Sequence, residues 1–176
     1  NFSPAPTGAQ RGRPSLLTHD EVLTLFHEFG HGLHHLLTKV NVGDVAGVNG
    51  VEWDAVELPS QFMENWAWHP EGIALISRHV DTGETLPERM LQSMLAAKNF
   101  QSGMQTLRQL EFALFDLLIH AKNPAPDYPQ LLALLDSVRA DLSIMPTASY
   151  NRFANGFSHI FAGGYAAGYY SYKWAE

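Results

Sequence analysis

A His-Glu-x-x-His motif occupies residues 27–31, inside a segment that has the signature of a helix. Thr18 precedes an apolar run and Glu21 follows three residues later, which is the capping-box pattern of a helix N-terminus. The apolar spacing predicts a helix over residues 19–39. The motif therefore occurs on the kind of element that its chemistry requires.

The two histidines of this motif can bind one cation together. On a helix, His27 and His31 lie one turn apart on the same face, so both imidazoles can approach an ion at about 2.0–2.1 Å. Glu28 lies about 100° around the helix from His27, close enough to reach a water on the metal without binding the metal. A zinc hydrolase needs this arrangement, because zinc acidifies the water and the carboxylate accepts its proton. The alternative is a polar helix face with solvated side chains.

The composition limits the ligands that a metal could use. The 176 residues include nine histidines and no cysteine, so a metal can be bound only by His, Asp and Glu. Eighteen acidic and eleven basic residues give a formal charge of -7, which disfavours a nucleic-acid partner. No apolar run is long enough to span a membrane, and a hydrophobic content of 45% is typical of a globular protein.

A catalytic zinc site normally takes its third protein ligand from another element and leaves one position to water. The candidate is Glu57, at the start of the next predicted helix, because two helices joined by a short loop can pack antiparallel. Glu64 lies two helical turns further along the same face and could accept a hydrogen bond from a ligand imidazole. His34 stays open as an alternative third ligand, although its position on the same helix would strain the coordination.

The rest of the pattern is mainly helical. Residues 1–14 are expected to form an extended lead-in or an edge strand, and the glycines within residues 43–50 favour a small strand or a loop. The further predicted helices are 54–68, capped by Asp54; 70–78; 85–119, as one helix or as two broken near Asn99 or Gly103; 127–142, beginning at Asp127; and 155–174, broken at Gly163 and Gly164.

Three separated blocks resemble the thimet oligopeptidase family of zinc peptidases, and they occur in the same order as in that family. They are HEFGHGLH at residues 27–34, VELPSQFMENW at residues 56–66 and HIFAGGYAAGYYSY at residues 159–172. Family members are several times longer, so the resemblance implies that residues 1–176 are a fragment of a single metallopeptidase catalytic domain. The fold that it implies is a mainly α, zincin-like core with a small β element near the active site.

Carried over position by position, the resemblance implies that one zinc ion per chain is bound by His27, His31 and Glu57. It implies that Glu28 activates the water that attacks the peptide. It also implies that a glycine-rich loop over residues 156–172 lies above the substrate cleft, and that this loop contributes to catalysis.

The resemblance implies a catalytic role for three side chains of that loop. Tyr165 and Tyr172 match family tyrosines that donate hydrogen bonds to the developing oxyanion and to the substrate, and His159 matches a histidine of the same loop. Tyrosine hydroxyls are neutral donors near pH 7, which suits a charge that forms only in the transition state. For Tyr169 and Tyr170 the preferred interpretation is packing in an aromatic core.

The predicted function is that of a cytoplasmic zinc metalloendopeptidase that hydrolyses short oligopeptides. The preference for short peptides is implied by the family alone. Two alternatives stay open, namely a dipeptidyl carboxypeptidase of the same family and a catalytically incomplete, metal-binding helical fragment. Neither a nucleic acid nor a membrane is expected as a partner, and the oligomeric state is not predicted.

Overall fold

The computed structural model describes residues 2–8 and 11–176, and it is mainly helical, as the sequence predicted. The helices are α1 (His19–Leu36), α2 (Leu58–Glu64), α3 (Pro70–Ile76), α4 (Glu88–Ala97), α5 (Ser102–His120), α6 (Tyr128–Leu142), α7 (Phe153–Gly156), α8 (Ser158–Phe161) and α9 (Ser171–Trp174). Short 3₁₀ turns lie at Gly43–Val45, Gly47–Gly50, Trp53–Ala55 and Asn65–Ala67. Within the described part of the chain there is no strand, and no helix is both long and apolar enough to cross a membrane.

The predicted N-terminus of α1 is confirmed. Thr18 Oγ1 accepts a hydrogen bond from the Glu21 backbone N–H at 3.3 Å, and Glu21 Oε2 accepts one from the Thr18 N–H at 2.7 Å. Glu21 also accepts a hydrogen bond from Ser3 Oγ at 2.8 Å, which attaches the lead-in to the start of the helix. The hydrogen bond from Thr18, followed by that from Ser3, lowers the pKa of Glu21. The helix ends at Leu36, earlier than residue 39.

Residues 43–50 form turns, and the small β element that the resemblance implied is not found in the described chain. Gly47 has a φ of +55°, which favours glycine, and a Cβ added there would lie 2.8 Å from His35 Cα. Asn49 Nδ2 donates a hydrogen bond to the Gly43 carbonyl at 3.1 Å, which closes the turn on itself. The backbone therefore folds back against α1 and does not extend into a strand.

Helix α2 begins later than predicted, and the prediction that Asp54 caps it is wrong. The helix begins at Leu58 with Glu57 in the N-cap position, and no side chain caps this end. Asp54 lies in a 3₁₀ turn, where its Oδ2 accepts a hydrogen bond from the Tyr170 hydroxyl at 2.6 Å. The Asp54 carboxylate thus accepts a hydrogen bond from a residue that is distant in sequence and does not cap the helix. Pro59 stands in the first turn of α2, where a missing N–H is tolerated.

The chain divides into two compact units. The first contains the described residues up to Val51 and residues 56–98. In this unit α1 packs along α2, and Val56 and Ala67 are among its buried apolar residues. The division does not test the prediction of a single catalytic domain, which stays a prediction.

The second unit contains residues 52–55 and 99–176. Here α5 packs against α6 around a core of aromatic and aliphatic residues. Its buried members are Ala113, Phe115, Ile119, Leu135, Ala154, Phe157, Ile160 and Tyr169. Buried Glu111 joins the two helices, because its carboxylate lies 2.8 Å from Arg139 Nε on α6 and 2.7 Å from Arg108 Nη1 on α5.

Helix α6 follows its predicted boundaries closely, whereas three short helices, α7, α8 and α9, replace the single helix predicted over residues 155–174. Of the two possibilities for residues 85–119, the broken helix is the one observed: α4 and α5 are separate, and Gln101 between them is left-handed, with a φ of 54°. Asp127 caps α6 in a reciprocal capping box with Gln130. The predicted break at Gly163 and Gly164 is confirmed by the irregular segment between α8 and α9.

Candidate metal centre

Helix α1 places two imidazoles beside each other. His27 and His31 are four residues apart, and their ring centroids lie 5.0 Å apart in a T-shaped arrangement. Both side chains are mostly buried, with 20% and 24% of their surface exposed. The helical repeat is sufficient to explain this pairing, because residues four apart are neighbours on one helix face.

Glu57 completes the group from the start of α2. Its Oε2 lies 3.2 Å from His27 Nε2 and 3.3 Å from His31 Nε2, and only 1% of its side chain is exposed. One ligand atom from each of the three residues lies within 4.8 Å of the other two. Ser60 Oγ donates a hydrogen bond to Glu57 Oε2 at 3.0 Å, which orients the carboxylate. The structure therefore brings together the three residues that the sequence predicted as metal ligands.

The donor set fits a zinc ion. Ligand atoms at about 2.0–2.1 Å from a tetrahedral zinc lie roughly 3.3 Å apart, and the two observed His–Glu separations have this length. Two imidazole nitrogens and one carboxylate oxygen are the ligands of a catalytic zinc site that keeps one position open. A cation bound at this position would also compensate the negative charge of the buried Glu57 carboxylate.

The close approach of the two helices depends on Gly30, which lies within the motif and is buried. A Cβ built on Gly30 would lie 2.5 Å from Ser60 Cα and 2.7 Å from the Pro59 carbonyl oxygen. These are backbone atoms that cannot move aside without shifting α2. The sequence reasoning did not single out Ser60, although its position three residues after Glu57 places both on one helix face.

Glu64 contacts the nitrogen of His27 that faces away from Glu57. The distance from His27 Nδ1 to Glu64 Oε1 is 2.8 Å, which agrees with the role that the sequence spacing allowed. The hydrogen bond to Glu57, with a further one to Glu64, raises the pKa of His27 to about 9, against an opposing effect of burial. A carboxylate at Nδ1 fixes the orientation of the ring and leaves Nε2 as the nitrogen that can bind a metal.

Comparison with known proteins identifies the family of this chain. The sequence model of Peptidase family M3 matches residues 1–176. The chain belongs to Peptidase family M3. The resemblance inferred from the three sequence blocks is thereby confirmed.

Several curated M3 relatives are similar over most of the chain. Oligopeptidase A of Escherichia coli (strain K12) is 58% identical over 165 residues, which are 94% of this chain and 24% of that protein. Oligopeptidase A of Haemophilus influenzae is 57% identical over 176 residues, or 100% of this chain and 25% of that protein. Dipeptidyl carboxypeptidase of Escherichia coli is 39% identical over 171 residues, or 94% and 24%. The chain spans about a quarter of the length of these relatives.

Glu28 and His34 lie on α1 together with His27 and His31 but have different surroundings. Glu28 is exposed, so a water or a substrate can reach its carboxylate from solvent. His34 is not among the three described residues whose ligand atoms converge. It lines an apolar cavity of about 570 Å³ together with Leu33, Leu37 and Phe62. The structure therefore does not favour His34 as the third ligand.

The second unit brings together the three loop residues named by the resemblance. The rings of Tyr165 and Tyr172 are stacked with centroids 5.2 Å apart, and the ring of His159 lies 6.1 Å from each of them. His159 is exposed and the two tyrosines are half-buried. These three side chains form one cluster, although they come from different turns of the segment at residues 159–172.

The neighbouring tyrosines of the loop have structural contacts. Tyr169 is buried in the aromatic core, its hydroxyl donates to Gln109 Oε1 at 3.1 Å, and burial raises its pKa. Tyr170 donates to Asp54, and this hydrogen bond raises the pKa of Tyr170. Packing explains Tyr169, as the sequence predicted, and half-buried Tyr170 packs against the same core while its hydroxyl donates to Asp54.

Proposed function

We propose that this chain is the metal-binding part of a zinc metallopeptidase that hydrolyses peptide bonds in short oligopeptides. The observation that carries the proposal is the convergence of His27 Nε2 and His31 Nε2 on Glu57 Oε2 at 3.2 and 3.3 Å. Membership of Peptidase family M3 and similarity to proteins named oligopeptidase A support the same reaction class.

In this proposal His27, His31 and Glu57 hold one zinc ion. A bound zinc ion lowers the pKa of water to near 7 and polarises a peptide carbonyl. An imidazole binds a metal only through an unprotonated nitrogen, so a charged His27 would have to release the proton on Nε2, the nitrogen that faces Glu57, before that nitrogen could bind zinc. Glu64 then keeps the His27 ring in position through Nδ1.

Glu28 is the proposed general base. It follows His27 directly on α1 and is exposed, so its carboxylate can accept a proton from the water that attacks the scissile carbonyl. The same carboxyl group can then donate this proton to the leaving amine, which completes hydrolysis without a covalent intermediate.

Tyr165 and Tyr172 are the proposed donors to the oxyanion and to the substrate, and His159 is a further catalytic candidate of the same cluster. Support comes from the stacking of the two tyrosine rings and from the position of His159 beside both. Neutral hydroxyl donors stabilise the developing charge without adding a charge of their own to the ground state.

A second candidate function is that of a dipeptidyl carboxypeptidase, which the 39% identity to a protein of that name supports. The two activities differ in whether they require a free carboxylate at the substrate C-terminus. A pair of otherwise identical peptides, one with a free and one with an amidated C-terminus, separates them. Equal cleavage of both supports the endopeptidase, and cleavage of the free acid alone supports the dipeptidyl carboxypeptidase. A cytoplasmic location and a zincin-like core stay predictions.

Glu28→Gln tests the proposal, with zinc content and cleavage of a quenched fluorescent peptide measured on the same samples. We expect about one zinc per chain in the unaltered chain and in the variant, and a loss of cleavage on the order of a hundredfold or more in the variant. Glu71→Gln, an exposed change on α3, serves as the matched control. A zinc-loaded chain that does not cleave the peptide supports the catalytically incomplete, metal-binding fragment, and a chain that binds no zinc contradicts the metal site.

A further inference from the structure

Asp116 of α5 is a buried carboxylate to which the proposed reaction assigns no part. Its side chain is 0% exposed. Its Oδ1 accepts a hydrogen bond from the Ala167 backbone N–H at 2.9 Å, and its Oδ2 accepts one from the Tyr169 N–H at 3.0 Å. His120 Nδ1 lies 2.8 Å from the same Oδ1. Both oxygens of Asp116 are thus occupied, and two of the donors belong to the tyrosine-bearing segment.

The segment that Asp116 holds has an unfavourable backbone. Ala167 has a φ of 57°, a left-handed conformation that is strained for a residue with a Cβ. The Gly168 N–H donates to the Tyr165 carbonyl at 2.8 Å, so residues 165–168 form a tight turn. A conformation of this kind persists only where its surroundings compensate the strain, and the Asp116 carboxylate is the buried polar group in contact with it.

The held residues lie between the two tyrosines of the proposed mechanism. Ala167 is two residues after Tyr165, and Tyr169 is three residues before Tyr172. Tyr169 is anchored at both ends, because its N–H donates to Asp116 and its hydroxyl donates to Gln109, also on α5. The position of α5 therefore determines where the backbone between the two tyrosines runs.

We propose that Asp116 is a positioning residue, whose carboxylate fixes the turn at residues 165–169 so that Tyr165 and Tyr172 keep one arrangement. The effect on catalysis rests on the proposed function, in which both hydroxyls act on the substrate. The anchoring of the turn does not rest on it. Asp116 touches no reacting atom and acts only through the backbone of the segment.

A carboxylate is needed because the two partners are both donors. An ionised carboxylate offers acceptor atoms only, and each of its oxygens accepts from one backbone N–H of the segment, with His120 Nδ1 also beside Oδ1. Asparagine has nearly the same shape but presents an NH₂ group on one side, so that one of the two N–H groups faces another donor. Asp116→Asn consequently removes one anchor and leaves the volume of the core unchanged.

The first experiment measures amide hydrogen exchange in the unaltered chain and in Asp116→Asn. We expect exchange at the Ala167 or Tyr169 amide to accelerate by roughly tenfold or more, with unchanged zinc per chain. Asp136→Asn, an exposed change on α6, is the matched control and should alter neither amide. Unchanged exchange at both amides overturns the anchoring. If Asp116→Asn does not fold, exchange in the unaltered chain tests the anchoring instead. The anchoring is overturned if the Ala167 and Tyr169 amides exchange as fast as the amide of exposed Gly163.

The second experiment asks whether Asp116 acts through the tyrosines. In a chain that cleaves the peptide, Asp116→Asn should lower kcat roughly tenfold with little change in KM. In a background that carries Tyr165→Phe and Tyr172→Phe, the same substitution should have almost no further effect. An undiminished tenfold loss in that background overturns the positioning role. If the unaltered chain cleaves no peptide, catalysis by this chain is contradicted, while the exchange measurement still decides the anchoring.

Discussion

Gly30 in α1 lies against Ser60 in α2 so closely that a methyl group on Gly30 would sit 2.5 Å from Ser60 Cα. His31 follows Gly30 directly, and Glu57 lies one helical turn before Ser60. The separation of these two helices therefore controls the distance from His31 Nε2 to Glu57 Oε2, which is 3.3 Å. The glycine in the motif thus contributes to the geometry of the candidate metal centre.

Gly30→Ala is expected to push α2 away from α1, because the atoms that a new Cβ would meet are backbone atoms. Overpacking of this kind lowers the free energy of unfolding by about 1–3 kcal/mol. The expected result is this loss in urea unfolding together with weaker zinc binding in a chelator competition. Gly32→Ala is the control, since nothing lies within 4 Å of its Cβ, and it should keep or raise stability. Equal behaviour of the two variants contradicts the packing argument.

Glu64→Ala is expected to weaken zinc binding by about 10–100-fold, because it removes the group that holds His27 through Nδ1 at 2.8 Å. Glu64→Gln retains an acceptor oxygen and should have a smaller effect. The measurement is the zinc dissociation constant, obtained by competition with a chromogenic chelator. Glu71→Ala on α3 controls for the loss of one exposed negative charge. An unchanged dissociation constant for Glu64→Ala shows that the contact does not support the metal.

Asp54→Ala is expected to lower the pKa of Tyr170. The Tyr170 hydroxyl donates to Asp54 Oδ2 at 2.6 Å, and this bond raises its pKa above the ordinary value of 10.0 by favouring the neutral phenol. Its contribution to stability is therefore present below about pH 10 and is lost as pH rises through the folded-state pKa. NMR titration of chains labelled at tyrosine Cζ measures the shift, with Asp44→Ala as control. An unaltered pKa contradicts the assigned bond.

The parts of the fold that follow from local sequence were predicted well. Thr18 and Glu21 form their capping box from residues three apart, so the start of α1 needs no tertiary information. Asp127 and Gln130 do the same for α6. The pairing of His27 and His31 follows from the helical repeat in the same way.

The predictions from the sequence failed where a side chain or a turn interacts with a residue that is distant in the sequence. Asp54 has a side chain that is favourable for capping a helix. Its carboxylate instead accepts a hydrogen bond from Tyr170, which is 116 residues away. The segment at residues 43–50 has the valines of a strand, yet Gly47 folds it back against His35. Asp116 was not identified at all, because an aspartate on an amphipathic helix is usually solvated, and its two backbone partners lie more than 50 residues away.

The helical class could be predicted without coordinates, as could the capped helix with two histidines on one face and the choice of Glu57 as the third residue of the group. These depend on the fixed geometry of a helix and on the few side chains that can bind a metal. The folded chain adds that Glu57 is buried at hydrogen-bonding distance from both imidazoles, that Gly30 permits this approach, and that Asp116 accepts hydrogen bonds from the tyrosine segment. Those contacts join residues far apart in the chain, and their distances follow from packing, which no local pattern specifies.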